Sequence, residues 1–211
     1  MAPTENLEGP ESLAFLIPVK SFNAAKARLA DVLNDGERQR LAIALAEGVV
    51  TSLEGRDVAV VCDDPTVASW AEGHALRVLW EPGQGLNPAV RAGVDALRSQ
   101  GFTHVCVVHA DLAFPANLRT IEVGGGVLCV PDRRGEGTNV LRLPSDVAFE
   151  FSYGPGSFSR HCAEAERLGL ELSIVAPSPL GIDVDVADDL ELAEVQTRLW
   201  GPEGPHSTSS R

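Results

Sequence analysis

The stretch Thr103-His104-Val105-Cys106-Val107-Val108-His109-Ala110-Asp111-Leu112 decides how this chain folds. Residues 103–109 have the length and apolar content of a strand covered on both faces, as in a parallel sheet flanked by helices. That strand hands Ala110-Asp111-Leu112 to its carboxyl end, the edge where open α/β sheets collect their substrates. Working outward, the alternation recurs. On the N-terminal side, strands are expected at 14–19, 57–62 and 76–80. Between them lie an amphipathic helix over 37–53 and a short helix over 65–73 opened by Asp63 or Asp64. A further helix starts from Asn87 as N-cap, with Pro88 at its first position, and runs to about Ser99, where Gly101 stops it. On the C-terminal side, the pattern predicts a strand region at 123–130, a loop of charge and glycine at 131–137 and a strand at 138–143. A second glycine-bearing loop at 151–157 opens a helix reaching 168, followed by strands at 172–175 and 181–186 and a final helix over 187–199. This is the βαβ alternation of an α/β fold with a mostly parallel sheet.

The 211 residues are 44% hydrophobic, enough for one substantial core and too few for two. One domain is expected over 12–199, between disordered tails at 1–11 and 200–211. No apolar run approaches the roughly 18–20 residues that span a bilayer. The acidic first 11 residues lack the basic and apolar regions of a secretory signal, so a cytoplasmic protein is expected. A net charge of −13 argues against a general nucleic-acid or anionic-membrane surface, and any phosphate binding must be local. Cys62, Cys106, Cys129 and Cys162 form no C-x-x-C pair, which favours reduced core thiols over a zinc or redox site.

Asp111 ends an apolar strand, where a lone buried carboxylate is costly; it must meet water, a cation or hydrogen-bond donors, unless it caps the turn near Pro115. Asp183-Val184-Asp185 projects two carboxylates to one side of an extended segment. Such a pair suits Mg²⁺, which takes oxygen ligands and bridges one or two carboxylates to substrate phosphates. Asp185 could equally cap the final helix, with Asp188 and Asp189 favouring its positive end. Lys20, Lys26 and Arg28 place three cations just past the first strand of an acidic chain, as phosphate ligands or as a solvated face. Gly135-Glu136-Gly137-Thr138-Asn139 and Tyr153-Gly154-Pro155-Gly156-Ser157 could each cradle an anion through backbone N–H groups, or be plain turns. His109 ends the same strand as Asp111, and His74, His104 and His161 lack ligand spacing; structural histidines are expected at all four. There is no P-loop, no dinucleotide-binding glycine turn and no nucleophile elbow.

Taken in order, Pro18-Val19-Lys20, Ala25-Lys26-Ala27-Arg28-Leu29, Leu86-Asn87-Pro88-Ala89-Val90, Ala110-Asp111-Leu112, Gly137-Thr138-Asn139, Tyr153-Gly154-Pro155-Gly156-Ser157 and Asp183-Val184-Asp185 resemble a known family. It is that of the phosphoenolpyruvate or 2-phospho-L-lactate guanylyltransferases of coenzyme F-420 biosynthesis, and the resemblance spans about residues 14–192. It implies a three-layer α/β/α sandwich with a mostly parallel mixed sheet, similar to the nucleotide-diphospho-sugar transferases (GT-A-like). By the same resemblance Asp111, Asp183 and Asp185 hold Mg²⁺; Lys20 and Arg28, with Lys26, face the nucleotide phosphates; and Thr138, Gly154 and Ser157 bind the phosphorylated acid. Lys20, Arg28 and Asp111 would be catalytic. The implied substrates are GTP and a small phosphorylated carboxylic acid, with hand-over of the product to a downstream deazaflavin transferase and no nucleic acid or membrane as partner. The family's Gly-Asp-Leu-Pro is here Ala110-Asp111-Leu112-Ala113, with the proline displaced to Pro115. Two alternatives stay open: a nucleotidyltransferase acting on another phosphorylated acceptor, and a nucleotide-binding module without catalysis.

Overall fold

The computed structural model describes residues 11–192 together with Val195 and Leu199. The expected tails, Glu11 apart, and most of the final helix beyond residue 192 lie outside the described residues. Seven strands, β1 (Leu13–Pro18), β2 (Asp57–Cys62), β3 (Arg77–Trp80), β4 (His104–Val108), β5 (Val127–Pro131), β6 (Thr138–Pro144) and β7 (Leu172–Ile174), form one sheet in the order β3-β2-β1-β4-β6-β5-β7. All run the same way except β6, which is antiparallel to both of its neighbours. The reversal has a local cause. Only the loop 132–137 joins β5 to β6, and a parallel crossover needs a dozen residues or more, so the two strands must form a hairpin.

Strand side chains alternate between faces, and helices cover both. On one face Phe15, Ile17, Val60 and Cys106 pack with Ala46 and Val49 of α1 (Asp35–Ser52) and Val67 of α2 (Pro65–Gly73). On the other, Leu16, Val61 and Val107 pack with Val90, Val94 and Leu97 of α3 (Leu86–Ser99) and Ala165 of α4 (Ser157–Arg167). The three-layer sandwich is therefore present. All four cysteines are free, three of them buried. No described helix is long and apolar enough to cross a membrane.

Several boundaries differ from the sequence expectation. Helix α1 begins at Asp35, not residue 37, because Asn34 and Glu37 form a reciprocal capping box. Asp64 caps α2 as expected, accepting from the N–H groups of Thr66 and Val67. Asn87 is not the cap of α3; Gly85 stands there. The Asn87 amide instead pairs with the backbone of Tyr153, accepting its N–H at 2.6 Å and donating to its carbonyl at 3.3 Å.

The segment 181–186 is not a strand. It follows a 3₁₀ turn, Pro179–Gly181, and its one β-bridge joins Asp183 to Leu112, past the end of β4. Ala113 N–H donates to the Ile182 carbonyl at 2.8 Å and Val184 N–H to the Asp111 carbonyl at 3.1 Å. Strand β4 is already paired on both sides, by β1 and β6. Free backbone groups remain only past its end, and the segment docks there as a strap. A short helix, α5 (Ala187–Leu190), follows.

Gly93 brings α3 down onto β1: a Cβ there would lie 2.7 Å from a methyl of the fully buried Leu16. Gly93→Ala should therefore overpack this contact by about 1–3 kcal/mol. Only about 1 kcal/mol returns through the better helix propensity of alanine. A lower urea midpoint with unchanged m-value is the expected result.

Candidate active site

A cleft of about 490 Å³ opens over the carboxyl ends of β1 to β4. The chain leaves β1 toward β2 and β3 on one side and returns to β4 on the other, so this is the topological switch point of the sheet. Lys20, Lys26, Asp111 and Asp185 line the cleft, and so do Asp63, Glu81 and His109, which the sequence reading left out of the site.

Asp111 does not cap the turn at Pro115. Its Oδ2 pairs with Lys26 Nζ at 2.6 Å, and the lysine side chain is only 6% exposed. Burial works to raise the Asp111 carboxyl, but the adjacent Lys26 charge prevails and holds it below the ordinary carboxylate range. Lys26 adopts a left-handed backbone conformation, φ 57°, at a cost on the order of 1 kcal/mol for a residue with a Cβ. Its ion pair with Asp111 offsets that strain. Asp111 Oδ1, by contrast, is buried with no hydrogen-bond partner. Lys20 is exposed at the mouth, and the largely exposed Arg28 reaches Asp185 Oδ2 at 2.7 Å.

On the strap, Asp183 accepts from the Asn139 side-chain amide at 3.3 Å. Its carboxyl is pushed up to about 6, first by burial and then by the negative charge of Asp111. Asp185 does not cap α5. The carboxylate of Asp189 takes that task, accepting from the N–H groups of Asp185 and Val186 at 2.9 Å each. Asp111 and Asp185 line the cleft, while Asp183 does not line it but stands near enough to feel the Asp111 charge. The three do not close into a cage: among the described residues, no three His, Cys, Asp or Glu side chains are gathered tightly enough to hold a metal ion. The donor set still fits a hard dication, because an unpartnered carboxylate oxygen and a carboxyl raised by its anionic neighbour are both relieved by positive charge.

In both glycine loops the N–H groups described turn to the protein's own oxygens. In the 132–137 loop, the N–H groups of Arg134, Glu136 and Gly137 all point to the Asp132 carboxylate, at 2.9–3.0 Å. At the start of α4, Ser157 N–H donates to the Gly154 carbonyl and Phe158 N–H to the Glu136 carbonyl, both at 3.0 Å. Thr138 and Ser157 are each 1% exposed and lie behind the cleft wall, with their hydroxyls 3.4 Å apart; only Gly154 of the three is exposed. His161 completes this cluster. Ser152 N–H donates to its Nε2 at 3.0 Å, so the ring proton sits on Nδ1 and donates to Thr138 Oγ1 at 3.0 Å. His161 is thus a satisfied structural histidine, whereas His109 has a buried Nε2 without a partner. Asp63 and Glu81 stand just past β2 and β3, and the rule that points to Asp111, carboxyl ends at a switch point, could have found them too.

A mostly parallel sheet with one reversed strand, and a switch-point cleft where cations meet carboxylates, define a nucleotidyltransferase of the nucleotide-diphospho-sugar transferase fold. The fold is similar to that of a Desulfovibrio desulfuricans G20 protein assigned to the nucleotide-diphospho-sugar transferases, at a TM-score of 0.69 and 15% identity over 85% of each chain. A 4-diphosphocytidyl-2C-methyl-D-erythritol synthase from Anaerococcus prevotii matches at a TM-score of 0.55 and 10% identity, over 87% of this chain and 95% of that one. More specifically, the family described as Guanylyl transferase CofC like matches residues 13–197, and the chain belongs to it. It is 39% identical over 188 residues to the phosphoenolpyruvate guanylyltransferase of Conexibacter woesei, covering 83% of this chain and 84% of that one. It is 28% identical over 180 residues to the 2-phospho-L-lactate guanylyltransferase of Methanocaldococcus fervens, covering 83% and 81%.

Burial holds the His161 imidazole down at about 4, against an ordinary histidine value of about 6.5. The folded protein refuses a proton that the unfolded chain accepts, so the contribution of this ring is intact above pH ~6.5 and is lost as the pH falls toward 4, by roughly 3 kcal/mol in full. Asp183, raised to about 6, works in the opposite direction over the same range, so the readout is a difference: relative to the unchanged protein, His161→Gln should gain stability in denaturant unfolding as the pH is lowered from 7 to 4.

Proposed function

We propose that this protein transfers GMP from GTP to the phosphate of a small phosphorylated carboxylic acid, with phosphoenolpyruvate favoured over 2-phospho-L-lactate, and releases pyrophosphate. The observation that carries this reading is Asp111 at the end of β4, paired with Lys26 through one oxygen and unpartnered at the other, in a switch-point cleft of a guanylyl transferase family member. An oxygen of the acceptor phosphate attacks the α-phosphorus of GTP in line. The bond from that phosphorus to the β-phosphate oxygen breaks, and pyrophosphate leaves. No general base is required, because a phosphate monoester near pH 7 is already almost doubly charged.

What the protein supplies is positioning and charge. Lys20, Lys26 and Arg28 neutralise the triphosphate and the departing pyrophosphate. Mg²⁺ held by Asp111, Asp183 and Asp185 would supply further neutralisation at the phosphoryl oxygens. Asp63 and Glu81, elsewhere in the cleft, favour guanine: a carboxylate accepts from both N1–H and the N2 amino group, a donor pair that adenine lacks. The acid binds at Thr138, Gly154 and Ser157, which requires the 151–157 loop to yield, since two of these side chains are buried. The chemistry belongs in the cytoplasm, and a pyrophosphate-linked product suits hand-over to a downstream transferase acting on a deazaflavin.

Purified protein with Mg²⁺ and GTP should release pyrophosphate only when one of phosphoenolpyruvate, 2-phospho-L-lactate or 3-phosphoglycerate is added, and not when ATP or CTP replaces GTP, in an assay coupled to the downstream transferase. Asp111→Asn should lower turnover at least about a hundredfold with an unchanged circular dichroism spectrum. Ser157→Ala should raise KM for the acid and leave that for GTP alone. Turnover of GTP without any acid would sink the proposal.

A further inference from the structure

The strap 179–186 carries two carboxylates of the proposed site and has no strand partner: one side is held by the Leu112–Asp183 bridge past the end of β4 and by the Asn139 amide. The other side, from which Asp185 leads into α5, is held differently. Asp189, fully buried, accepts the N–H groups of Asp185 and Val186 on Oδ2, while its Oδ1 accepts from Arg133 Nε at 2.9 Å and Arg134 Nη2 at 2.7 Å. Both arginines lie in the loop between β5 and β6. Burial pushes the Asp189 carboxyl up, but the two N–H groups and two guanidinium groups outweigh it, so this side chain stays charged inside the protein. The contact with the hairpin is close: a Cβ on Gly181 would lie 2.9 Å from the Pro131 carbonyl. One buried carboxylate, with all its lone pairs engaged, thus fixes the backbone from which Asp185 projects.

We propose that Asp189, clamped by Arg133 and Arg134, is the positioning residue that sets the reach of the Asp185 carboxylate into the cleft, and so the cation affinity and turnover of the site. This rests on the function proposed above. Groups that orient metal ligands without touching the metal typically change affinity or activity by about 10–100-fold when removed.

The test uses Arg134→Gln and Asp189→Asn, with Arg134→Lys as the charge-preserving control; Arg134, about one-third exposed, can be changed even if Asp189→Asn does not fold. Three quantities are read: amide hydrogen exchange at Asp185 and Val186, Mn²⁺ affinity of the protein alone by electron paramagnetic resonance, and kcat against KM for GTP. In Arg134→Gln, exchange at those amides should quicken about tenfold, the Mn²⁺ Kd should rise about tenfold, and kcat should fall by a similar factor at nearly constant KM. Arg134→Lys should recover most of each. Unchanged exchange would show that the clamp does not hold the strap, and faster exchange with unchanged Mn²⁺ affinity and kcat would reduce it to a structural contact; either overturns the proposal. A wild-type protein that binds no Mn²⁺ overturns it as well. Wild-type protein that binds Mn²⁺ but turns over no GTP would defeat the proposed function, while exchange and Mn²⁺ affinity in the variants still decide the clamp.

Discussion

The ion pair between Lys26 and Asp111 organises the cleft. It joins the loop after β1 to the end of β4 across 85 positions of sequence, in surroundings that leave 6% of the lysine side chain exposed. Neither partner could sit there alone, because an isolated charge in such a place loses its hydration with nothing to replace it. The pair satisfies one oxygen of Asp111 and leaves the other buried without a partner, while on the strap burial and the Asp111 charge raise Asp183 toward neutrality, and Asp185 takes its counter-charge from Arg28. The left-handed turn at Lys26 and the backbone carbonyl of Asp111 that receives the Val184 N–H thus lie at the two ends of this contact.

Much of the fold was legible because its signals are local. The strand 57–62 and the helix 65–73 appear with the expected limits, since a Val-rich run and an Asp-Pro cap need no distant partner. The errors share a different cause. Residues 181–186 have the alternation of a strand, but strand formation needs an unpaired edge, and β4 offers none. Asn87 has the chemistry of a cap and spends it on Tyr153, 66 residues away. Of the site, Lys20, Asp111 and Asp185 line the cleft, with Arg28 held to Asp185. Thr138 and Ser157 are closed behind the wall by a histidine whose spacing carried no signal.

The glycine loops hold a related lesson. Residues 135–139 read equally as an anion cradle or as a plain turn, and the loop 132–137 turns its N–H groups inward onto its own Asp132. Asp132, at the head of the same loop, fills the nest and makes it a rigid support for Thr138 and Asn139. A cradle that lacks its anion and one that already contains it look the same in sequence, because either needs small residues and a nearby acidic or phosphorylated group.

The distance along the chain between the two halves of the cleft bears on how the protein is made. Arg28 and Asp185 are 157 positions apart, and every residue of β1 to β4 precedes the strap. A ribosome adding roughly 5–20 residues per second releases the parallel half of the sheet many seconds before Asp183 and Asp185. Contacts of such separation also form late, because a long loop must close first. A nascent or stalled chain can therefore carry Asp63, Glu81 and Asp111 of the cleft while it still lacks Asp183 and Asp185, which come into place only as the last stretch of the sandwich docks.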